Sequence, residues 1–235
     1  MDIVYPLGTG SVWENNELRY SLRAVAENVK DLRNVWVVGE RPDWLTNVRY
    51  LPVKDCFDRP TKNTFHKLQS VCREADLSDD FLWLNDDFFI IKPTEAATFP
   101  YYYKGVLPSG IRKSRLLAIE SPVNTVNYLQ FHKLTMLDYR VHCPIRFNKQ
   151  KVLDLPVAEN EFGVVNTRAV YGNYYKVGGI EHKEVLLAPS RSVPQIEHYL
   201  ADKDWFSIMS LTGKYWNFRK YIEQRFPNPS PFEKS

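Results

Sequence analysis

The 235-residue chain is 44% hydrophobic and 25% charged, proportions that allow a buried core and exclude a disordered or membrane-embedded polypeptide. A formal net charge of +3, with basic residues scattered, permits an anionic substrate such as a nucleotide or a phosphorylated glycan and does not demand nucleic acid. The three cysteines fit no zinc pattern; with Asp2 where a signal peptide carries positive charge, and no membrane-length apolar run, they lead us to expect a reduced, cytoplasmic protein.

Ile3-Val4-Tyr5 reads as a strand, followed by a flexible Gly8-Thr9-Gly10-Ser11 turn. Asn15 or Asn16 is placed to cap a helix whose stripe is Leu18, Leu22, Val25, Ala26 and Val29. Val35 to Val38 reads as a buried strand ending at Gly39, and Val48 to Pro52 as a further short strand. Thr64 to Glu74 is helical in pattern, with Phe65, Leu68, Val71 and Cys72 on one face. Phe81 to Leu84 is a strand that runs into Asn85-Asp86-Asp87 and a second apolar run, Phe88 to Ile91.

Beyond Pro100 the periodicity weakens. Helices are expected over Thr125 to Met136, Lys149 to Leu155, Asp202 to Leu211 and Tyr215 to Phe226, with a Tyr- and Gly-rich loop from Tyr171 to Gly179. Strands alternating with helices predict an α/β fold, a three-layer sandwich with a mostly parallel central sheet. The near-continuous apolar runs make Ile3–Tyr5, Val35–Val38 and Phe81–Leu84 neighbouring inner strands. No linker divides the chain, so one domain is expected over residues 1–235.

The strongest chemical signal is the Asp86-Asp87 pair between two apolar runs. Adjacent, partly desolvated carboxylates repel unless a positive group sits with them, and hard divalent cations such as Mg²⁺ or Mn²⁺ take oxygen ligands. The bland alternative is a turn pair that caps backbone amides. Asp79-Asp80, beside Ser78, reads as a solvated turn. In a parallel sheet, ligands bind beyond the carboxyl ends of the strands, where the Gly8–Ser11 and Asn85–Asp87 turns both fall.

Four stretches carry a family likeness: Asp2-Ile3-Val4-Tyr5 with Gly10-Ser11; Glu17 to Arg23 with Val35 to Val38 and Pro42 to Leu45; Pro60-Thr61, Asn63 and Phe81 to Phe89; and Phe226 to Lys234. Through them the chain resembles the Stealth-type hexose-1-phosphate transferases, which build bacterial capsules and include the animal lysosomal-targeting phosphotransferase. The resemblance implies a GT-A-like, Rossmann-like core, a nucleotide-sugar donor (UDP-sugar favoured), a divalent cation and an acceptor hydroxyl. In that family the hydroxyl attacks the phosphorus next to the sugar, whereas an ordinary glycosyltransferase on a similar fold attacks the sugar carbon. Transfer of a sugar-1-phosphate or of a sugar is therefore expected, with residues 1–100 as the nucleotide-sugar-binding half and 101–235 as the acceptor and catalytic half. Where the family tends to hold acids, this chain has Thr9 and Met209-Ser210.

On this basis Asp86 and Asp87 are the expected metal ligands, and Asp87 and His142, in Val141-His142-Cys143-Pro144, the expected catalytic groups. A histidine titrates near neutral pH and suits the role of base. Arg19 and Arg23, one helical turn apart, Lys62, Asn63, Asn85 and Arg168 are the expected substrate-binding residues, with Arg146 competing for the role of Arg168. The acceptor is expected to be a glycan, with a modified base in DNA as the alternative. A non-catalytic sugar- or nucleotide-binding module is the reading that Thr9 and Met209-Ser210 favour.

Overall fold

The computed structural model describes residues 1–108, 120–157, 162–209 and 211–234; of the positions read above, Ser210 lies outside them. In chain order the elements of the first half are β1 (Asp2–Leu7), α1 (Asn16–Asn28), β2 (Val35–Gly39), β3 (Arg49–Leu51), α2 (Pro60–Cys72), β4 (Asp80–Trp83), β5 (Phe88–Ile90) and β6 (Tyr102–Tyr103). The second half adds α3 (Glu120–Phe131), β7 (Ile145–Asn148), α4 (Lys149–Leu153), α5 (Thr167–Tyr174), β8 (Ile180–Glu181), β9 (Leu186–Leu187), α6 (Val193–Leu200), β10 (Trp205–Ile208) and α7 (Trp216–Arg225).

The central sheet has the order β3-β2-β1-β4-β7. Its first four strands are parallel, and β7 pairs antiparallel with β4 at the edge. The three strands expected as inner neighbours are adjacent in it: Ile3 lies opposite Val35 on one side and Leu82 on the other. Alternation along β1 sorts the core into two layers. Ile3, Tyr5 and Leu7 face one cluster, built with Leu18, Leu22 and Val25 of α1 and with residues of β5, β10 and α7. Val4 faces the other, built with Leu68, Val71 and Cys72 of α2 and with Val126, Leu129 and Tyr171 beyond. Burial on both faces explains the continuous apolar runs. Among the described residues, no helix is long and apolar enough to cross a membrane.

The amino end of the sheet is held by a buried charge. Asp2 is fully buried and accepts hydrogen bonds from Arg33 at 2.8 and 2.6 Å, from the Trp36 indole at 3.1 Å and from the Ser78 amide at 3.0 Å. Although burial alone raises its pKa, these donors outweigh that effect and hold the carboxyl below its ordinary range.

Several expectations are corrected. Asn15 precedes α1 in the left-handed conformation, φ 58°, and its side chain makes no capping bond. Ala26 is exposed, and Ala24 takes the core position instead. Phe88 to Ile90 leaves the central sheet and pairs antiparallel with β10 in a second, three-stranded sheet of order β5-β10-β9. Trp205–Ile208 is therefore a strand rather than part of a helix: all four side chains are buried, and two of them are aromatic. The expected loop at Tyr171 is helix α5. Its amino end is capped by Asn166, whose side chain accepts from the Ala169 amide at 3.0 Å. Gly172 is not a loop signal. A Cβ there would lie 2.4 Å from the Tyr139 ring, so glycine is what lets that ring close on the helix.

Candidate active site

From β1 the chain steps outward through β2 to β3, then returns to the other side of β1 as β4. The carboxyl ends of β1 and β4 consequently border a crevice at a topological switch point, where open α/β sheets bind ligands. The turn Asn85-Asp86-Asp87 stands at this crevice and is pinned along its length. The Leu84 amide donates to the Val4 carbonyl at 3.0 Å, Phe88 to Asn85 at 3.2 Å and Ile208 to Asp87 at 3.2 Å. The Ser21 hydroxyl of α1, 2.8 Å from the Tyr5 hydroxyl, donates to the Phe88 carbonyl.

On the α1 side the turn walls a cleft of about 250 Å³ with Gly8, Gly10, Ser11, Glu17 and Ile208. Its chemistry is acidic. Burial pushes the Asp86 carboxyl up to about 6, and Glu17 adds to the shift. Burial, then the neighbouring charge of Asp86, pushes Asp87 up to about 8, while Arg168 opposes the rise. Glu17 is buried and accepts from the Ser11 hydroxyl at 2.8 Å. That hydroxyl in turn accepts from the amides of Trp13 at 3.2 Å and Asn15 at 2.8 Å. Gly213 leaves room for the acid, since a Cβ there would lie 3.0 Å from Glu17 Oε1.

Asp87 Oδ1 is buried and has no hydrogen-bond partner. Paired carboxylates with depressed acidity and an orphaned oxygen fit a hard cation. Among the described residues, no group of three or more His, Cys, Asp or Glu is arranged to hold a metal. A cation here would take Asp86 and Asp87 from the protein and its remaining oxygens from substrate or water, as Mg²⁺ commonly does.

On the α2 side the same turn walls a cleft of about 480 Å³, with Asn85 and Trp83 on its floor. The amino ends of α2 (Pro60, Thr61) and α5 (Asn166, Thr167) open onto it, and helix amino ends favour anions. Arg140, His142 and Arg168 complete the lining. Arg168 donates to the Cys143 carbonyl, lies 5.9 Å over the Phe88 ring and keeps its buried Nε without a partner. His142 is exposed and meets Phe88 edge-on. Partial desolvation, then the charge of Arg168, lowers its pKa from the ordinary imidazole value. Arg140 is bound in a fork to Asp138 at 2.7 and 2.8 Å. The crevice is thus split by charge, with carboxylates on one side of the turn and cationic groups on the other.

The expected residues divide accordingly. Asp86, Asp87, Asn85, His142 and Arg168 come together around the turn. Arg19 and Arg23 line neither cleft. Arg23 forks onto Glu233 at 2.8 and 2.7 Å and donates to the Phe226 carbonyl at 3.0 Å. Arg19 lies 3.6 Å from the same carboxylate and 4.6 Å over the Trp44 ring. Both are engaged by the C-terminal segment. Asn63 is buried and spent on the chain: it accepts from the amides of Cys56 and Phe57 at 3.1 and 2.9 Å and donates to the Phe57 carbonyl at 2.9 Å. Lys62 lines a neighbouring, smaller cleft. Arg146 is turned to the Ala97 carbonyl, at 2.8 Å, so of these two candidates Arg168 is the one that lines the cleft.

Glu17 escaped the sequence reading as a site residue. The signal is present: Glu17, Ser21, Ala24 and Asn28 are all buried and form a polar and small stripe at helical spacing beside the apolar one. Buried polar groups need partners, and Glu17 finds its own at the cleft.

Residues 11–106 match the family model of Stealth protein conserved region 2. The exopolysaccharide phosphotransferase SCO2592 of Streptomyces coelicolor is 36% identical over 94 residues, 36% of this chain and 10% of that protein. Its SCO6023 relative is 38% identical over 95 residues, 36% of this chain and 16% of that protein. The capsular polysaccharide phosphotransferase cps1A of Actinobacillus pleuropneumoniae is 28% identical over 96 residues, 37% of this chain and 26% of that protein. The matched segment thus spans between a tenth and about a quarter of these relatives. Among solved structures, an active-site mutant of LgtC aligns with a TM-score of 0.39 at 14% identity, over 65% of this chain and 59% of that one. Residues 11–106, a stretch that spans β2, β4 and the Asp86-Asp87 turn, are thus similar to conserved region 2 of the Stealth proteins.

Proposed function

We propose that the protein is a transferase that uses a nucleotide-sugar donor, UDP-sugar favoured, and moves a sugar-1-phosphate onto a hydroxyl of a glycan. The observation that carries this reading is the Asp86-Asp87 pair, held with raised pKa values at the switch-point crevice opposite Arg168. Fixed carboxylates there repel a diphosphate, so the pair calls for Mg²⁺ or Mn²⁺, which when bound would neutralise charge on the leaving phosphate. The names of the relatives, phosphotransferases of capsular polysaccharide and exopolysaccharide, support the same class of reaction.

The chain's own groups fit distinct tasks. Arg168 and the amino ends of α2 and α5 suit the non-bridging oxygens of the transferred phosphate. Asn85 suits a sugar or ribose hydroxyl. His142, with its pKa lowered, is neutral at physiological pH and suits removal of the proton from the attacking hydroxyl. The oxygen then bonds to the phosphorus next to the sugar, and the nucleoside monophosphate departs with the bond electrons. In this division, residues 1–100 bring the carboxylates and residues 101–235 bring the base and the arginine.

The test is product identity. The protein is incubated with UDP-, GDP- and CDP-sugars and Mg²⁺ or Mn²⁺, with and without chelator. Release of nucleoside monophosphate that stops on chelation is expected. Release of nucleoside diphosphate means attack at the sugar carbon. Tight donor binding without turnover supports the non-catalytic module, the reading favoured by Thr9 on the β1–α1 loop and Met209 directly after β10.

A further inference from the structure

Beside the His142 cleft lies a smaller one of about 180 Å³, between α2 and the segment leading into α5. The two share Thr61, Phe65 and Thr167 as walls, so they lie side by side. The smaller cleft falls below the roughly 300–1,000 Å³ of pockets that enclose drug-sized ligands, and so suits a single ring. Phe57 stands at its wall with 44% of its surface exposed, unusual for a large apolar side chain. The ring is not loose. Its backbone is gripped on both sides by the Asn63 amide, and His66 meets it edge-on at 5.6 Å. Around this platform stand Thr61, Lys62, His66 and Gln69, all able to hydrogen-bond.

We propose that this cleft seats a second pyranose ring of the glycan acceptor, next to the ring whose hydroxyl is modified in the His142 cleft. A pyranose has an apolar C–H face and a rim of hydroxyls, which matches a fixed aromatic face with a polar border. A nucleobase is the competing occupant, for which UMP is the probe. The inference rests on the transferase reading for the identity of the His142 cleft. It adds that the acceptor is an oligosaccharide and that Phe57 selects for it.

Cys56 supplies a readout that needs no turnover. It is the exposed cysteine, while Cys72 and Cys143 are buried, and its Sγ lies 3.8 Å from His66 Nδ1 at the edge of the cleft. Its alkylation by N-ethylmaleimide is timed on the full chain with and without saccharides: glucose, maltose and maltotriose; galactose and lactose; N-acetylglucosamine and its β-linked dimer and trimer. In at least one series the disaccharide is expected to protect at about tenfold lower concentration than the monosaccharide. Phe57→Ala is expected to erase that difference and Phe57→Tyr to keep it, protection being read as the ratio of rates with and without saccharide. Equal protection by one ring and two, no protection by any series, a difference that survives Phe57→Ala, or equal protection by UMP alone each overturns the proposal, the last by assigning the cleft to the nucleotide. Ring-dependent protection in a wild-type protein that releases no nucleotide from any donor would sink the transferase reading while leaving the subsite standing.

Discussion

The imidazole of His142 meets the ring of Phe88 edge-on, with centroids 5.5 Å apart and planes at 64°. Phe88 directly follows Asp87 and is fully buried, so it is a fixed post between the carboxylate pair and the histidine. Arg168 lies over the same ring. Three groups remote in sequence are thereby set around one aromatic side chain.

His142→Ala is expected to lower kcat by about 10²–10⁴-fold while donor affinity changes little, because a base acts on the acceptor proton and not on the donor. The pH profile checks the role independently. The lowered pKa leaves the imidazole neutral down to a more acidic pH than usual, and turnover falls only below that point. That acid limb should vanish in the variant. Equal losses in kcat and in donor binding would remove His142 from the proton transfer.

Asp86→Asn and Asp87→Asn, made separately, should each weaken cation-dependent donor binding by tenfold or more, that is by about 1.4 kcal/mol. Calorimetry with Mn²⁺ and donor measures it. Because protons compete with the cation for carboxyls that titrate near 6 and 8, wild-type cation affinity should climb as pH rises through that window. Full metal-dependent activity in both variants would refute the assignment.

The same carboxyls make a stability prediction. A folded-state pKa raised above the unfolded value means that the folded chain holds more protons, so stability falls as pH rises from about 4 through about 8. Without cation, Asp87→Asn should therefore raise Tm at pH 8, by about 2–4 °C for each kcal/mol recovered, and leave it nearly unchanged at pH 4. Added Mn²⁺ should stabilise the wild type more than the variant.

Arg23→Ala should leave donor affinity unchanged and lower stability by about 1.5–3 kcal/mol, the scale for losing charge-assisted hydrogen bonds of a half-buried pair. Glu233→Gln should act on the same contact, so the double variant should lose less than the sum of the two. Denaturant melts of the four proteins measure the coupling. A loss of donor affinity in Arg23→Ala with unaltered stability would return this arginine to the substrate.

How much of this was legible in the chain depends on the range of the contacts. The adjacency of β1, β2 and β4 was readable because burial on both faces demands continuous apolar runs. The position of Asp86-Asp87 followed from the two apolar stretches that hold it. Arg19 and Arg23 show the limit: their shared helical face was visible, but the carboxylate that claims it sits 210 residues from Arg23. Local pattern carries no trace of such a partner. At Trp205–Ile208 a run of four buried residues is too short for its period to separate strand from helix. For α5, glycine and tyrosine resembled loop chemistry, while their actual cause was the close approach of Tyr139 to Gly172.

The C-terminal segment also sets a timetable. Beyond the Arg23–Glu233 pair, the Thr46 amide donates to the Phe232 carbonyl at 2.9 Å and the Lys234 amide to Trp44 at 2.8 Å. Residues near both ends of the chain are therefore needed to finish one face. At about 5–20 residues per second, the 210 positions between Arg23 and Glu233 take roughly 10–40 s to synthesise. Throughout that interval Arg23 and Arg19 wait on a nascent chain without their carboxylate, and the backbone of Trp44 and Thr46 waits without its partner strand. The parallel sheet can begin to assemble on the ribosome, but the α1 face closes only after Glu233 has left the exit tunnel. A slow ribosome lengthens the exposure of that face to other chains.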